Sequence, residues 1–436
     1  MEPMTGSWVG NLALFFFFLI LILVALEKQI QMRRSKPTVF FACLTWGLIG
    51  VYEVGQPGGH AEEAVHHLTG SIAQLFFFVF VAMVFINTLE ERGMFDQLRA
   101  RLVRRGLDYR QLFWATGTIT FLISPLVDNL TSALLIGRVA QAIGGTNVRF
   151  IVPAFVNIVV AANAGGTWSP FGDITTLMIW MSGKIESYQF PHLFVPALCS
   201  WLVPAVIMQF AIPEGKPEGP AHAPALKHGA KVILGLGLFT IFLALFFHHV
   251  LGLLPYLGMM FGLGILMSFA YYLLLTDRIR NHRLASLNNT EPPPPFNIFG
   301  SVARVEFDTL LFFFGSMLMI GALDYLGYIS LASQSIFGGH APMTSNVIMG
   351  VISAVVDNIP ALFAVVQMNP AMGPEQWLLA TLSIGVGGSL LSIGSVAGVV
   401  VMGVNPNYNF VSHLKWTPAI AAGYIAGIVS WWLLLS

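Results

Sequence analysis

The chain has 436 residues, of which 56% are hydrophobic and only 10% are charged. This composition excludes a soluble globular domain with an ordinary surface and predicts an all-α, polytopic membrane protein. The formal net charge is zero, so the overall charge predicts no nucleic-acid partner. The two cysteines, Cys43 and Cys199, lie in apolar runs, and we predict no cofactor.

Apolar runs predict a series of simple membrane spans. The first run has no basic residue before it and a basic cluster after it, which is typical of a retained helix rather than a cleaved signal peptide. The predicted spans cover residues 8–27, 37–54, 70–90, 190–212, 230–249, 253–275, 305–325 and 416–435.

Four further apolar segments are interrupted by polar residues, glycine or proline. Asp128-Asn129 interrupts the first and Asp357-Asn358 the third, whereas glycine-rich runs interrupt the second and fourth. Irregular backbone at membrane depth is tolerated only where it lines a cavity or is buried in protein. The predicted elements are re-entrant hairpins over 111–143 and 343–368, and broken transmembrane helices over 150–183 and 376–403.

The interrupted segments indicate that one unit is present twice. Val127-Asp128-Asn129 in the first hairpin recurs as Val356-Asp357-Asn358 in the second. If each hairpin enters and leaves on one side, each half crosses the membrane an odd number of times, and the second half is inverted relative to the first. The predicted domains are a first inverted repeat over 1–213, a cytoplasmic linker over 214–229 and a second inverted repeat over 230–436.

The basic residues orient this arrangement. Under the predicted topology every lysine and arginine except Lys184 falls on one side of the membrane. The positive-inside rule makes that side cytoplasmic, so both termini are expected outside the cytoplasm. We predict a multi-pass protein of a bacterial inner (plasma) membrane.

The hairpin tips carry the most informative side chains. A carboxylate inside a membrane is costly unless it faces a cavity or a partner, so Asp128 and Asp357, which lie at corresponding positions, indicate a functional site. Carboxylate, amide and hydroxyl oxygens suit a hard cation that has lost its water. We therefore predict a transporter that binds a cation at the two tips and in the glycine-rich breaks.

Two polar groups outside these segments are secondary candidates. His60, His66 and His67 stand beside Glu62 and Glu63 before the third span, where we favour a solvated outer loop and keep pH sensing as an alternative. The spacing of these residues does not match the HExxH motif of metalloproteases. Glu306 and Asp308, at the start of the span over 305–325, are candidates for assisting proton entry.

Two runs resemble an NhaD-type sodium/proton antiporter of the ion transporter superfamily: SPLVDNLTS at 124–132 and NAGGTWSPFGDITT at 163–176. The resemblance covers nearly the whole chain. It implies inverted repeats, paired hairpins, a homodimer and an elevator-like movement of a transport domain. The ion site that it implies, with sodium or lithium at Asp128 and Asp357, consists of Asp128, Asn129, Asn163, Asp173, Thr175, Thr176, Asp357, Asn358, Ser392 and Ser395.

The same superfamily also contains citrate, dicarboxylate and arsenite carriers, so the cargo needs a separate argument. A carboxylate at each tip, with no basic residue near either tip in the sequence, favours a cation. Exchange of sodium or lithium for protons, serving pH homeostasis, is the first hypothesis. Transport of arsenite or an organic anion on the same fold is the alternative. An intramembrane enzyme is disfavoured, because no nucleophile and base are paired in the sequence.

Overall fold

The structure, a computed structural model, describes residues 4–54, 59–217, 226–288 and 294–436. Within these residues the chain is helical and has no β-strand, which confirms the predicted all-α, polytopic fold. Short 3-10 helices cover Met4–Gly6, Ser187–Leu193 and Gln209–Ala211.

The α-helices are numbered in chain order. They are α1 (Trp8–Ala25), α2 (Glu27–Ile30), α3 (Ser35–Glu53), α4 (Ala61–Glu91), α5 (Met94–Arg104), α6 (Tyr109–Val127), α7 (Asn129–Gly144), α8 (Val148–Gly166), α9 (Ile174–Met181), α10 (Phe194–Met208), α11 (Ala230–His249), α12 (Pro255–Asn288), α13 (Ile298–Ala303), α14 (Phe307–Tyr325), α15 (Tyr328–Phe337), α16 (Pro342–Val356), α17 (Asn358–Met368), α18 (Pro374–Gly387), α19 (Val396–Val404), α20 (Phe410–Leu414) and α21 (Thr417–Leu435).

Eight helical segments of the described chain are long and apolar enough to cross a membrane. The predicted span at 37–54 is present as helix α3 but is not one of them, because the charged Lys36 and the polar residues around it in the first turn lower its mean hydropathy. Helix α8, predicted as one arm of a broken helix, qualifies instead. The segments are Trp8–Ala25, Ala61–Glu91, Val148–Gly166, Ser187–Ala211, Ala230–His249, Pro255–Arg280, Phe307–Tyr325 and Thr417–Leu435.

The predicted outer loop before the third span is wrong at two of its three histidines. Helix α4 begins at Ala61, so His66 and His67 lie in its first two turns, and only His60 precedes it. The segment contains no strong helix breaker before Gly70, and Glu62 and Glu63 stand in the first turn, where acidic residues favour a helix N-terminus. Hydropathy could not detect this turn of polar helix.

The chain forms two compact units. The first comprises Met1–Ile72, Leu107–Gly219 and Leu311–Ser436, and the second comprises Ala73–Gly106 and Pro220–Leu310. In the second unit α11 packs against α12, and Arg92 Nη1 lies 2.9 Å from Asp277 Oδ2. Residues 218–225 of the predicted linker lie outside the described residues.

Within the first unit, corresponding positions of the two halves make corresponding contacts. Ser124 Oγ donates a hydrogen bond to the Ala162 carbonyl of helix α8 (2.6 Å), and Ser353 Oγ donates to the Ile384 carbonyl of α18 (2.9 Å). Each hairpin is therefore pinned to the broken helix of its own half. The inversion of the second half relative to the first stays a prediction.

The two breaks also have the same backbone closure. A Cβ atom at Gly166 would lie 2.5 Å from the Gly172 carbonyl oxygen, and one at Gly388 would lie 2.5 Å from that of Gly394. Such contacts are too short for any side chain, so these positions require glycine. Each break is a tight loop between two helices, at 167–173 after α8 and at 388–395 after α18.

Candidate functional site

Each hairpin turns at its aspartate. Asp128 has φ 72° and ψ 157°, and Asp357 has φ 78° and ψ 146°. These angles lie at or beside a region that is used almost only by glycine and that costs other residues about 1–3 kcal/mol. The same strained conformation at both tips lets each aspartate end one helix and cap the next.

At the first tip the carboxylate is held by its own helix. Asp128 Oδ1 accepts a hydrogen bond from the Thr131 backbone N–H (2.8 Å), and Asp128 Oδ2 accepts one from Thr131 Oγ1 (2.9 Å). Asp128 is half-buried. The first tip therefore presents a carboxylate that is fixed in place by two local donors.

At the second tip the carboxylate is buried and has a different partner. Asp357 Oδ1 accepts a hydrogen bond from the Ile359 N–H at 3.3 Å. Asp357 Oδ2 lies 3.8 Å from Nη1 of Arg34, whose guanidinium also packs over the Phe312 ring at 4.7 Å. The second tip is therefore an ion pair.

Arg34 is a basic residue at the second tip that the sequence did not predict. The expectation that no basic residue lies near either tip is wrong, because Arg34 reaches Asp357 across more than 300 residues of sequence. From the sequence Arg34 was only one member of a cytoplasmic basic cluster. Arg34 is only 3% exposed, and the sequence could not predict this burial because it arises when α3 packs beside α14.

An amide network links the first tip to both breaks. Asn129 Nδ2 donates to Asn163 Oδ1 (3.1 Å). Asn163 Nδ2 in turn donates to Ser389 Oγ (2.8 Å) and to Ser395 Oγ (2.9 Å). The two asparagines and two serines are all buried. The structure therefore brings together predicted residues from both halves, together with Ser389, a further hydroxyl of the glycine-rich break in which we expect cation ligands.

A second network links the second tip to the first break. Asp173 Oδ2 accepts hydrogen bonds from Asn358 Nδ2 (2.9 Å) and from Thr175 Oγ1 (2.8 Å). Thr176 Oγ1 donates to the Asp173 carbonyl (2.7 Å) and accepts from its N–H (3.1 Å), which caps helix α9. Thr175 is therefore directed at the carboxylate, whereas the Thr176 hydroxyl is used by the backbone.

Several buried oxygens around these networks have no hydrogen-bond partner among the described residues. Leaving such an atom unpaired costs about 1–3 kcal/mol, so each requires an explanation. A bound cation would satisfy oxygen atoms and no others. The unpaired oxygens are Asp173 Oδ1, Asn358 Oδ1, Ser132 Oγ and Ser392 Oγ.

Three carboxylates and eight helix ends supply the charge of this region. Asp173 interacts electrostatically with both Asp128 and Asp357. Helices α7, α9, α17 and α19 begin at the tips and breaks, and α6, α8, α16 and α18 end there. Carbonyl-bearing C-termini attract cations, while aspartate or serine caps offset the positive N-termini.

A cavity of about 470 Å³ opens onto the second tip. Arg34 and Asp357 line it together with Glu27, Ser316 and Asn409, and the rest of its wall is largely apolar. This cavity provides space for an ion or a side chain to reach the Asp357 carboxylate.

The secondary candidates take no part in the hydrogen bonds of these two networks as the described residues show them. His60 donates its N–H to Tyr325 Oη (3.2 Å), and its ring faces Glu63 at 3.7 Å. His60 and His67, but not His66, line a second cavity of about 400 Å³ with Asp324. Glu306, which is exposed, and Asp308, which is half-buried, belong to the second compact unit, so their part in proton entry stays a prediction.

His413 is a further polar residue that the sequence argument did not single out. Its side chain is fully buried, with Nε2 2.8 Å from the Ser389 carbonyl and Nδ1 2.7 Å from Tyr408 Oη. Because a carbonyl only accepts, Nε2 carries the proton and Nδ1 accepts from the tyrosine. Burial lowers the pKa of His413 to about 4, so the ring stays neutral and supports the break that contains Ser389.

Two broken helices, two aspartate-tipped hairpins and a buried cluster of oxygen donors define a membrane transporter, rather than an enzyme. A family model described as CitMHS, citrate transporter, matches residues 19–385. The Na(+)/H(+) antiporter NhaD of Vibrio cholerae is 45% identical over 437 residues, covering 98% of this chain and 92% of that protein. NhaD of Alkalimonas amylolytica is 46% identical, covering 99% and 92%. The chain belongs to the NhaD family of antiporters.

A more distant likeness supports the fold. The structure of the Alcanivorax borkumensis YdaH transporter, described as having an unusual topology, matches with a TM-score of 0.50 and 14% sequence identity. The match covers 92% of this chain and 98% of that one. At this identity the likeness concerns the arrangement of helices alone.

Proposed function

We propose that this protein exchanges sodium for protons across the membrane. The NhaD relatives, which are named Na(+)/H(+) antiporters, support the proposal over almost the full chain. The structural observation that carries it is the set of unpaired buried oxygens beside Asp173 and Asn358. These oxygens are ligands for a small hard cation, whereas Trp168 Nε1, which is also unpaired in the first break, is a hydrogen-bond donor and cannot bind one.

The proposed coupling is competition for the same carboxylates. A carboxylate that accepts a proton no longer attracts a cation strongly, and a bound cation favours the ionised form. Asp173 interacts electrostatically with Asp128 and with Asp357, so a proton or a sodium ion at Asp173 changes occupancy at either tip. Exchange then needs no separate proton channel.

Several finer features belong to the same proposal. Lithium is proposed as a second cargo, because the donor set selects charge density rather than sodium alone. An elevator-type movement, a homodimer and both termini outside the cytoplasm are proposed from the family resemblance and the distribution of basic residues. The proposed place is a bacterial inner membrane, and the proposed role is pH homeostasis.

Transport of arsenite or an organic anion is the second candidate. It is favoured by the description of the matching family model and by the presence of Arg34 at the second tip. However, Arg34 is paired with Asp357, so its charge is already balanced and is not offered to an anion. Sodium therefore stays the preferred cargo.

The test is substrate addition to proteoliposomes that hold a pH-sensitive dye. Sodium or lithium should dissipate an imposed pH gradient, whereas citrate and arsenite should leave it unchanged. Liposomes without protein control for leakage. Collapse of the gradient by arsenite, with no response to sodium, would replace the proposal with the second candidate.

A further inference from the structure

The two tips share a backbone but differ in how their carboxylates are satisfied. At the first tip Thr131 supplies both donors to Asp128. The corresponding residue of the second tip is Pro360, which has neither a backbone N–H nor a hydroxyl. The second carboxylate is therefore left without these two capping donors.

Arg34 takes the place of the missing donors. Its side chain and that of Asp357 are only 4% and 5% exposed, and Arg34 Nη1 lies 3.8 Å from Asp357 Oδ2. This distance exceeds that of a well-formed charge-assisted hydrogen bond, about 2.7–2.9 Å. The pair is therefore close enough for strong attraction in a buried setting, yet it is not locked by a short hydrogen bond.

We propose that Arg34 is an internal competitor of the transported cation: its guanidinium occupies the Asp357 carboxylate until a sodium ion displaces it. The inference rests on the proposed function, because it requires sodium to bind at this tip. The guanidinium balances the Asp357 charge when no cargo is bound. Asp128 has two neutral donors instead, so the competition is specific to the second tip.

The surroundings allow the exchange. Two cations at one buried carboxylate repel each other, so the guanidinium must move as sodium arrives. The cavity of about 470 Å³ that Arg34 lines gives its side chain room to move. Glu27 lines the same cavity and offers a carboxylate toward which the displaced guanidinium can turn.

The experiment is direct measurement of sodium binding to purified Arg34→Gln protein at alkaline pH. Removal of the competitor should lower the sodium concentration at half-saturation by roughly fivefold or more, the usual range for coupling between sites. Arg33→Gln is the matched control, because it removes the same charge from the adjacent, exposed residue. Its half-saturation should stay within twofold of the parent protein.

A second measurement separates competition from a structural role. In Arg34→Ala, free guanidinium ions should inhibit sodium binding competitively, whereas the parent protein should be much less sensitive at the same concentration. If Arg34→Gln is not monodisperse, Arg34→Lys keeps a cation and should shift half-saturation in the same direction by a smaller amount.

The outcomes are separable. Weaker or unchanged sodium binding by a folded Arg34→Gln protein, with parent protein that binds sodium normally, would overturn the competitor role alone. Failure of the parent protein to bind or exchange sodium would overturn the proposed function instead.

Discussion

Substitution of Asn163 can show whether the hydrogen-bond network controls sodium affinity separately from the stability of the fold. Its side chain connects Asn129 to Ser389 and Ser395, and all four residues are buried. Asn163→Ala should therefore remove three buried hydrogen bonds, each of which contributes about 0.5–1.5 kcal/mol. The expected loss of stability is at least about 2 kcal/mol, since neighbouring losses do not add fully.

Asn157 is a matched control two turns earlier in the same helix. It is equally buried, donates to the Phe113 carbonyl (2.9 Å) and accepts from Trp201 Nε1 (2.8 Å), but it contacts no member of the ion-site networks. Asn157→Ala should therefore cost a comparable amount, again at least about 2 kcal/mol. Thermal unfolding in one detergent measures both losses.

Sodium affinity should distinguish the two variants. Asn163→Ala releases Asn129 and Ser395 from fixed positions, and we expect about a tenfold rise in half-saturating sodium, equivalent to about 1.4 kcal/mol. Asn157→Ala should change it by less than twofold. The assay is sodium-driven proton movement in sealed vesicles at fixed pH. Equal rises in both variants would show that general loosening of α8, and not the network, controls affinity.

Four further predictions concern coupling, topology and stability. Asp128→Asn and Asp357→Asn keep the side-chain size but remove the titratable charge, so each should abolish or severely impair exchange in a folded protein; full exchange by the double variant would exclude these residues as the coupling site. In the parent protein, apparent sodium affinity should strengthen as pH rises, by up to about tenfold per unit for each proton displaced, and a flat profile from titration of exchange rates would contradict competition. A cysteine replacing His60 should react with an impermeant reagent from outside and one replacing Lys415 only from inside; labelling of both from one face would refute the inverted topology. Because burial lowers the pKa of His413 from 6.5 to about 4, the unfolded chain takes up a proton below pH 6.5 that the folded chain excludes, so stability should fall by up to about 3 kcal/mol as pH drops from 6.5 to 4, and His413→Gln should remove most of that fall in thermal unfolding.

The sequence was most informative at residues that are unusual inside a membrane. Asp128 and Asp357 stand out because carboxylates are rare in hydrocarbon, and the glycine-rich breaks stand out because they interrupt apolar runs. Both features are local, so the helix ends at the two tips and breaks could be anticipated within a few residues. The all-α, polytopic fold follows from composition alone.

The remaining features depend on contacts that no local pattern encodes. Arg34 looks like an ordinary cytoplasmic charge until α3 packs beside Phe312 of α14. Ser389 lies in the second glycine-rich break, where a cation-binding hydroxyl was expected, but the hydrogen bond that it accepts from Asn163 of the other half could not be predicted from the sequence. The first turns of α4 were not predicted because they are polar, and a hydropathy profile detects only apolar helices.

The strained backbone at the two tips implies a trade-off between stability and function. Glycine adopts a positive φ without cost, so Asp128→Gly or Asp357→Gly would relieve strain that the protein now tolerates twice. Selection for stability alone would favour that change, yet the change would remove a carboxylate from the candidate ion site. The aspartates at these turns therefore lower the stability of the fold and are retained for the carboxylates that they supply. Heat-adapted members of the family are expected to gain stability at other positions.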